Sequence, residues 1–114
     1  MMVPILLKKL NNIWLQKIYL LEFKMLKILE ELILLARERK NNPVEGSYTN
    51  KLLNDKTLAK EKVLEEVNEL IEAVEENSNK IHEAADVLYH LMMYFEANDI
   101  KIEEIVEELT SRKK

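Results

Sequence analysis

Two pairs of acids, Glu66-x-x-Glu69 and Glu83-x-x-Asp86, have the residue types and the spacing to hold a metal ion. Three residues along a helix rise about 4.5 Å and return near the same face, so each pair can converge on one or two small cations. Carboxylate oxygens suit hard cations such as Mg²⁺ or Mn²⁺. The chain has no cysteine, which excludes a disulfide frame and a thiolate metal site. Its two histidines, His82 and His90, are too few for a His-rich zinc site.

Spacing alone carries little weight in a sequence this rich in Glu. The run Glu103-Glu104-Ile105-Val106-Glu107-Glu108 repeats the same intervals, and its expected role is a solvated face. The second acid pair differs in its setting. At about 100° per residue, Ile81, Ala84, Ala85, Leu88, Leu91, Met92 and Phe95 share one broad face of a helix. Val87, Tyr89, Met93 and Tyr94 cover much of the remainder, so burial on most sides is expected. Glu83, Asp86 and His90 form its central polar strip. Two carboxylates in apolar surroundings repel each other and lose hydration unless a cation joins them.

Glu66 and Glu69 flank the apolar stripe of the preceding helix, and the turn Glu76-Asn77-Ser78-Asn79 folds the two helices antiparallel. Counting outward from that turn sets Glu69 level with Asp86, with Glu66 and Glu83 within about two helical turns. Glu65, Glu69, Glu72 and Glu76 make an alternative stripe. Glu72 and Glu76 read as an exposed ridge, and Glu65 stays open between the two. For His90 a core histidine bonded to a neighbour and a catalytic group both remain open, while His82 reads as a surface residue.

The elements that position these groups are helices. Only Gly46, Pro4 and Pro43 interrupt the chain, 33% of residues are charged and 47% hydrophobic, and Leu, Ile, Glu and Lys dominate. The 114 residues suffice for one domain. Met25, Ile28, Leu29, Leu32, Leu35 and Ala36 define a first core helix that ends near Arg39 or Lys40 and can run on from the Ile18 region. Asn41–Asn50, with Pro43 and Gly46, is a loop. A second helix starts near Thr57 or Leu58, capped by Asp55 or Thr57, with a stripe of Val63, Val67, Leu70 and Val74 widened by Leu64 and Ile71. A third spans about Lys80 to Ala97 and stops at Asn98-Asp99, where Asn can take the left-handed cap. The last carries Ile102, Ile105, Val106 and Leu109.

Residues 1–24 form a separate extension. Leu6, Leu10, Ile13, Trp14, Ile18 and Leu21 keep helical spacing, and Pro4 suits a first turn. Its apolar runs are four residues or shorter, too short to span a membrane, and a small-residue cleavage site is lacking. It is either an added amphipathic helix or sequence upstream of a natural start at Met25. It carries Lys8, Lys9, Lys17 and Lys24 against Glu22, a net of +3, so the rest of a chain with total charge −4 carries −7. Such an acidic domain disfavours nucleic acid, and an anionic substrate needs a bridging cation.

Glu66-x-x-Glu69 followed by Glu83-x-x-Asp86 resembles the E-x-x-E…E-x-x-D signature of the all-α nucleotide pyrophosphohydrolases, including the MazG-type enzymes. Arg39-Lys40-Asn41-Asn42-Pro43 leading to Gly46-Ser47-Tyr48-Thr49 and Leu52 is similar to the loop of the phosphoribosyl-ATP pyrophosphohydrolase family. Lys62-Val63 before Glu65-Glu66, and Ala84-Ala85-Asp86-Val87-Leu88-Tyr89-His90-Leu91, resemble the same family. The resemblance covers about residues 25–111. It departs at Asn54-Asp55-Lys56, which looks one residue short and lacks a common Gly, and at Leu64, where the family often has Gly.

The resemblance implies an all-α fold, a small MazG-like bundle of four to five helices completed by dimerisation, with residues 25–114 as the domain. It implies Mg²⁺-dependent hydrolysis (Mn²⁺ as an alternative) of 1-(5-phosphoribosyl)-ATP to 1-(5-phosphoribosyl)-AMP and pyrophosphate, the second step of histidine biosynthesis, in the cytoplasm. Glu66, Glu69, Glu83 and Asp86 take the metal. Glu65 positions or deprotonates water, and Lys62 meets the developing charge. Arg39, Ser47, Tyr48 and Thr49 contact substrate, although turn capping accounts equally well for each loop hydroxyl. The alternative is a house-cleaning nucleoside triphosphate pyrophosphohydrolase, and a non-enzymatic helical interaction protein is a rival from another class. No nucleic acid or membrane partner is implied. The apolar third helix calls for a homodimer, since one short bundle cannot bury it.

Overall fold

The computed structural model describes residues 13–113, with side chains from residue 27 onward. Pro4, Leu6 and Leu10 of the expected N-terminal helix, and the Met25 side chain, lie outside them. The order is α1 (Ile13–Asn41), α2 (Tyr48–Asn54), α3 (Lys56–Glu76), α4 (Lys80–Ala97) and α5 (Ile102–Arg112), with no strand among the described residues. The protein is all-α. Two compact units, Met1–Glu31 and Leu32–Lys114, share α1, and the acids and loop singled out above lie in the second.

Local chemistry sets the boundaries. α1 is continuous through the Ile18 region and ends on Arg39 and Lys40, cations that suit its negative C-terminal end. Val44 to Ser47 closes a β-turn, with the Ser47 N–H donating to the Val44 carbonyl at 3.1 Å. Gly46 sits third in that turn at φ +80°, the position that makes type II turns favour glycine. The expected loop is shorter than its polar composition suggests, because Ser47 caps α2 by accepting from the Asn50 N–H. The hydrophobic pair Leu52 and Leu53 then buries this short helix. Asp55 ends α2 and caps α3, accepting from the Leu58 N–H at 3.0 Å.

Asn77 and Asn79 both take positive φ between α3 and α4, and the Ser78 N–H returns to the Ala73 carbonyl, a Schellman closure. At the end of α4 the left-handed residue is Asp99 rather than the expected Asn98, and the Ile100 N–H returns to the Phe95 carbonyl. A short polar side chain tolerates this conformation in either residue.

α3 and α4 form the principal hairpin, and α2 packs against both. The α3 residues buried in it are Ala59, Glu66 and Ala73, seven apart. Small alanines thus bracket Glu66 on the buried line of α3. The sequence reading placed Glu66 at the flank of a Val63–Val74 stripe, whereas Val74, Leu64 and Ile71 are exposed. The buried set of α4 is His90, Met92, Met93, Glu96 and Ala97. Ile81, Ala85 and Leu88, expected inside, are exposed, Ile81 by 85%. On α1 the core residues are Ile33 and Ala36, and the expected Ile28 and Leu35 are exposed. In each case amphipathic spacing marked an apolar face without showing which of its residues a neighbour covers.

One ion-pair network ties three helices. Arg37 of α1 donates to Glu96 of α4 (Nε–Oε1 3.1 Å) and to Glu103 of α5 (Nη2–Oε1 2.7 Å). Lys40 adds bonds to the Glu96 carbonyl and to Asp99. Glu103 is therefore more than a solvated acid, while Glu108 pairs locally with Arg112. No described helix is long and apolar enough to cross a membrane.

Candidate active site

The antiparallel hairpin brings the two acid pairs together. Glu69 lies near both Glu66 on its own helix and Glu83 on the facing one, and raises the pKa of each. Asp86 adds its charge to both sites. Glu65, Glu66 and Glu69 offer ligand atoms within 4.8 Å of one another, and so do His82, Glu83 and Asp86. His82 reaches Asp86 at 3.4 Å from the surface. The i, i+4 spacing of His82 and Asp86 was the available signal for that contact.

Glu66 is only 6% exposed, and Glu66 Oε2 and Glu83 Oε2 are buried without a hydrogen-bond partner. Burial first, and then the neighbouring Glu69, pushes the Glu66 carboxyl above its ordinary range. Burial likewise leads the rise at Glu83, followed by Glu69. Orphaned carboxylate oxygens in such a setting are costly unless a cation meets them. Glu65, Glu66 and Glu69 on one helix, and Glu83 and Asp86 on the other, give the oxygen-rich donor set that hard divalent cations take. The residues present therefore fit a divalent metal.

Lys62 stands beside this centre, 3.1 Å from Glu65 and 3.6 Å from Glu66. Its hydrogen bond to Glu65 is the main cause of its raised pKa, so the ammonium is held charged. Glu65 itself is half exposed. Glu72 and Glu76 are exposed, as their outer stripe suggested.

The Ser47–Thr49 segment docks onto α4 next to the acids. Tyr48 Oη lies 2.8 Å from His90 Nε2, and Thr49 Oγ1 lies 2.6 Å from Tyr89 Oη. Burial raises the Tyr48 pKa, opposed by the charge of the nearby Lys62. Arg39 Nη1 donates to Ser47 Oγ at 2.7 Å. Ser47 and Thr49 thus both have internal partners, and His90 is buried and bonded to neighbours.

Sequence reasoning missed Asn50. Its buried side chain accepts from the Val44 N–H at 2.8 Å and donates to the Arg39 carbonyl at 2.8 Å. It staples both ends of the loop, and nothing in its spacing announces that role. Tyr89 was read as apolar cover for α4, yet its hydroxyl holds Thr49.

The chain matches the model of the phosphoribosyl-ATP pyrophosphohydrolase family over residues 29–113. A phosphoribosyl-ATP pyrophosphatase of Methanococcoides burtonii is 43% identical over 91 residues, 75% of this chain and 92% of that protein. Its counterpart in Clostridium acetobutylicum is 42% identical over 90 residues, 75% of this chain and 80% of that protein. The histidine biosynthesis bifunctional protein HisIE of Pyrococcus furiosus is 42% identical over 93 residues, 78% of this chain and 43% of that longer protein. No solved structure shows a significant match. With a family match spanning α2 to α5 and most of the described α1 side chains, and with relatives more than 40% identical over most of their length, the chain belongs to the phosphoribosyl-ATP pyrophosphohydrolase family.

Proposed function

We propose that this protein hydrolyses 1-(5-phosphoribosyl)-ATP to 1-(5-phosphoribosyl)-AMP and pyrophosphate, the second step of histidine biosynthesis, with Mg²⁺ as cofactor. The observation that carries the reading is the pair of orphaned buried oxygens on Glu66 and Glu83, inside a four-acid cluster beside Lys62. Relatives bearing the phosphoribosyl-ATP pyrophosphatase name support the substrate. A general nucleoside triphosphate pyrophosphohydrolase gains no support from them.

Glu66, Glu69, Glu83 and Asp86 would hold the metal. When bound, Mg²⁺ neutralises charge on the phosphate oxygens and helps orient water. In the reaction one water adds across the α–β anhydride. Its oxygen bonds to one phosphorus, the bridging oxygen leaves with the other, and the water proton must be accepted. Glu65, half exposed beside the acids, would order or deprotonate this water. Lys62, kept charged by Glu65, meets the negative charge that develops on the leaving oxygens. Arg39, Ser47, Tyr48 and Thr49 bind the substrate from the loop.

Residues 25–114 form the catalytic domain in this reading, residues 1–24 are an addition to it, and the enzyme works in the cytoplasm as a homodimer. Exposed Ile81 and Leu88 on α4, with Leu64, Ile71 and Val74 on α3, supply the apolar surface for the second copy. Purified protein with Mg²⁺ should release pyrophosphate from phosphoribosyl-ATP in preference to ATP, dCTP and dUTP. Glu69→Gln and Asp86→Asn should each abolish release. Full activity in either variant, or indifference to a chelator, would remove the four-acid centre from the mechanism.

A further inference from the structure

His90 sits at the junction of the acid helix and the loop. Its Nδ1 lies 2.7 Å from the backbone carbonyl oxygen of Asp86, one turn back along α4. Helical side chains lean toward the N-terminus, which brings an i−4 carbonyl within reach. A carbonyl only accepts, so Nδ1 carries the ring proton, and in the neutral imidazole Nε2 is left as a bare acceptor. The group at Nε2 is the Tyr48 hydroxyl, at 2.8 Å. With the ring neutral, Tyr48 is therefore the donor, and its single hydroxyl hydrogen is committed inward.

We infer that His90 is a positioning residue that fixes the Tyr48 hydroxyl, so that Tyr48 presents lone pairs and a ring face, never a donor, to the substrate. This rests on the function proposed above. Phosphate oxygens are acceptors, so a Tyr48 held this way has nothing to offer them. The portions it fits are the ribose hydroxyls, an exocyclic amino group or the face of a base. Its ring is 43% exposed and available for that contact. Tyr89 braces the ring from the protein side, with centroids 6.4 Å apart and planes 19° from parallel. The adjacent Thr49–Tyr89 bond makes a second latch, so the first two residues of α2 are held by consecutive residues of α4.

Two measurements test this together. Nitrogen-15 NMR of the His90 ring in the substrate-free wild-type protein should show Nδ1 protonated and Nε2 bare. The reverse tautomer would overturn the proposal whether or not the protein is active. In kinetics, His90→Ala and Tyr48→Phe should each lower kcat/KM about 10-fold, mainly through KM. The double variant should fall no more than about 2-fold further, because both changes break one bond. His90→Gln, whose amide oxygen can replace Nε2 as acceptor, should recover most of the loss. Additive losses of about 100-fold, or a folded Gln variant as poor as Ala, would assign His90 a merely structural part. Absence of any wild-type activity on phosphoribosyl-ATP would instead sink the functional reading, and the NMR result would still decide the latch.

Discussion

Glu83 on α4 and Glu69 on α3 lie across the hairpin from each other, and after burial it is Glu69 that raises the Glu83 carboxyl above its ordinary range. Without a cation that proximity favours protons. Glu66 and Glu83 both have folded pKa values above the ordinary carboxylate range of about 4.3. A raised folded pKa gives stability that is fully present below the unfolded value and is lost as pH rises through the folded one. Metal-free protein should thus lose stability from these groups as pH climbs above about 4.3. Saturating Mg²⁺ should reverse that loss, by about 2.7 kcal/mol at a hundredfold excess over Kd. Thermal melts across pH, with chelator or with Mg²⁺, check this. Superimposable melts at pH 8 would mean that no cation binds.

Arg37 neutralises Glu96, whose side chain is 5% exposed, and at the same time grips the exposed Glu103. Arg37→Met leaves a buried carboxylate uncompensated and should cost about 2–3 kcal/mol in urea unfolding, the lower part of the range for such breaks because Arg37 is partly solvated. Arg37→Lys should restore little, since one ammonium cannot reproduce the fork across two helices.

The same guanidinium holds the Glu103 carboxyl at about 2. A depressed folded pKa gives stability that is present above the unfolded value, near 4.3, and lost as pH falls through about 2. Glu103→Gln should therefore flatten the acid limb of the stability profile over that window. An unchanged limb would show that the pair does not persist in solution.

Asn50 closes the turn between α1 and α2 from within. Asn50→Ala removes its bonds to Val44 and Arg39 and strands the buried partners, for an expected loss of about 1–3 kcal/mol. Arg39 at the end of α1 and Ser47 at the start of α2 flank this turn and are proposed to contact substrate, so KM should rise more than kcat falls. Equal KM values for the variant and the wild type would separate this staple from substrate binding.

Leu88 is 51% exposed on a helix whose opposite side is packed. Sedimentation velocity at micromolar concentration should give a species of twice the chain mass, and Leu88→Glu should shift it to monomer. A wild-type monomer under those conditions would rule out the homodimer.

Much of this protein is decided by short-range chemistry that a sequence displays directly. Helical periodicity, the Asp55 cap, the Asn77–Asn79 turn and the bounds Lys80–Ala97 all depend on residues within about one turn of each other. The three-residue spacing of Glu66 and Glu69, and of Glu83 and Asp86, belongs to the same local order. Tertiary structure decided what depends on distant partners. Packing put Glu66, expected at a flank, on the buried line of α3 with Ala59 and Ala73. Ser47–Asn54 became a capped helix with its leucines buried, so that Tyr48 and Thr49 could meet Tyr89 and His90 forty residues away. The Arg37–Glu96 pair spans 59 positions and has no local signature. Amphipathic spacing states that a face is apolar. Only packing selects which neighbour covers it, and with it which of many acids loses its water.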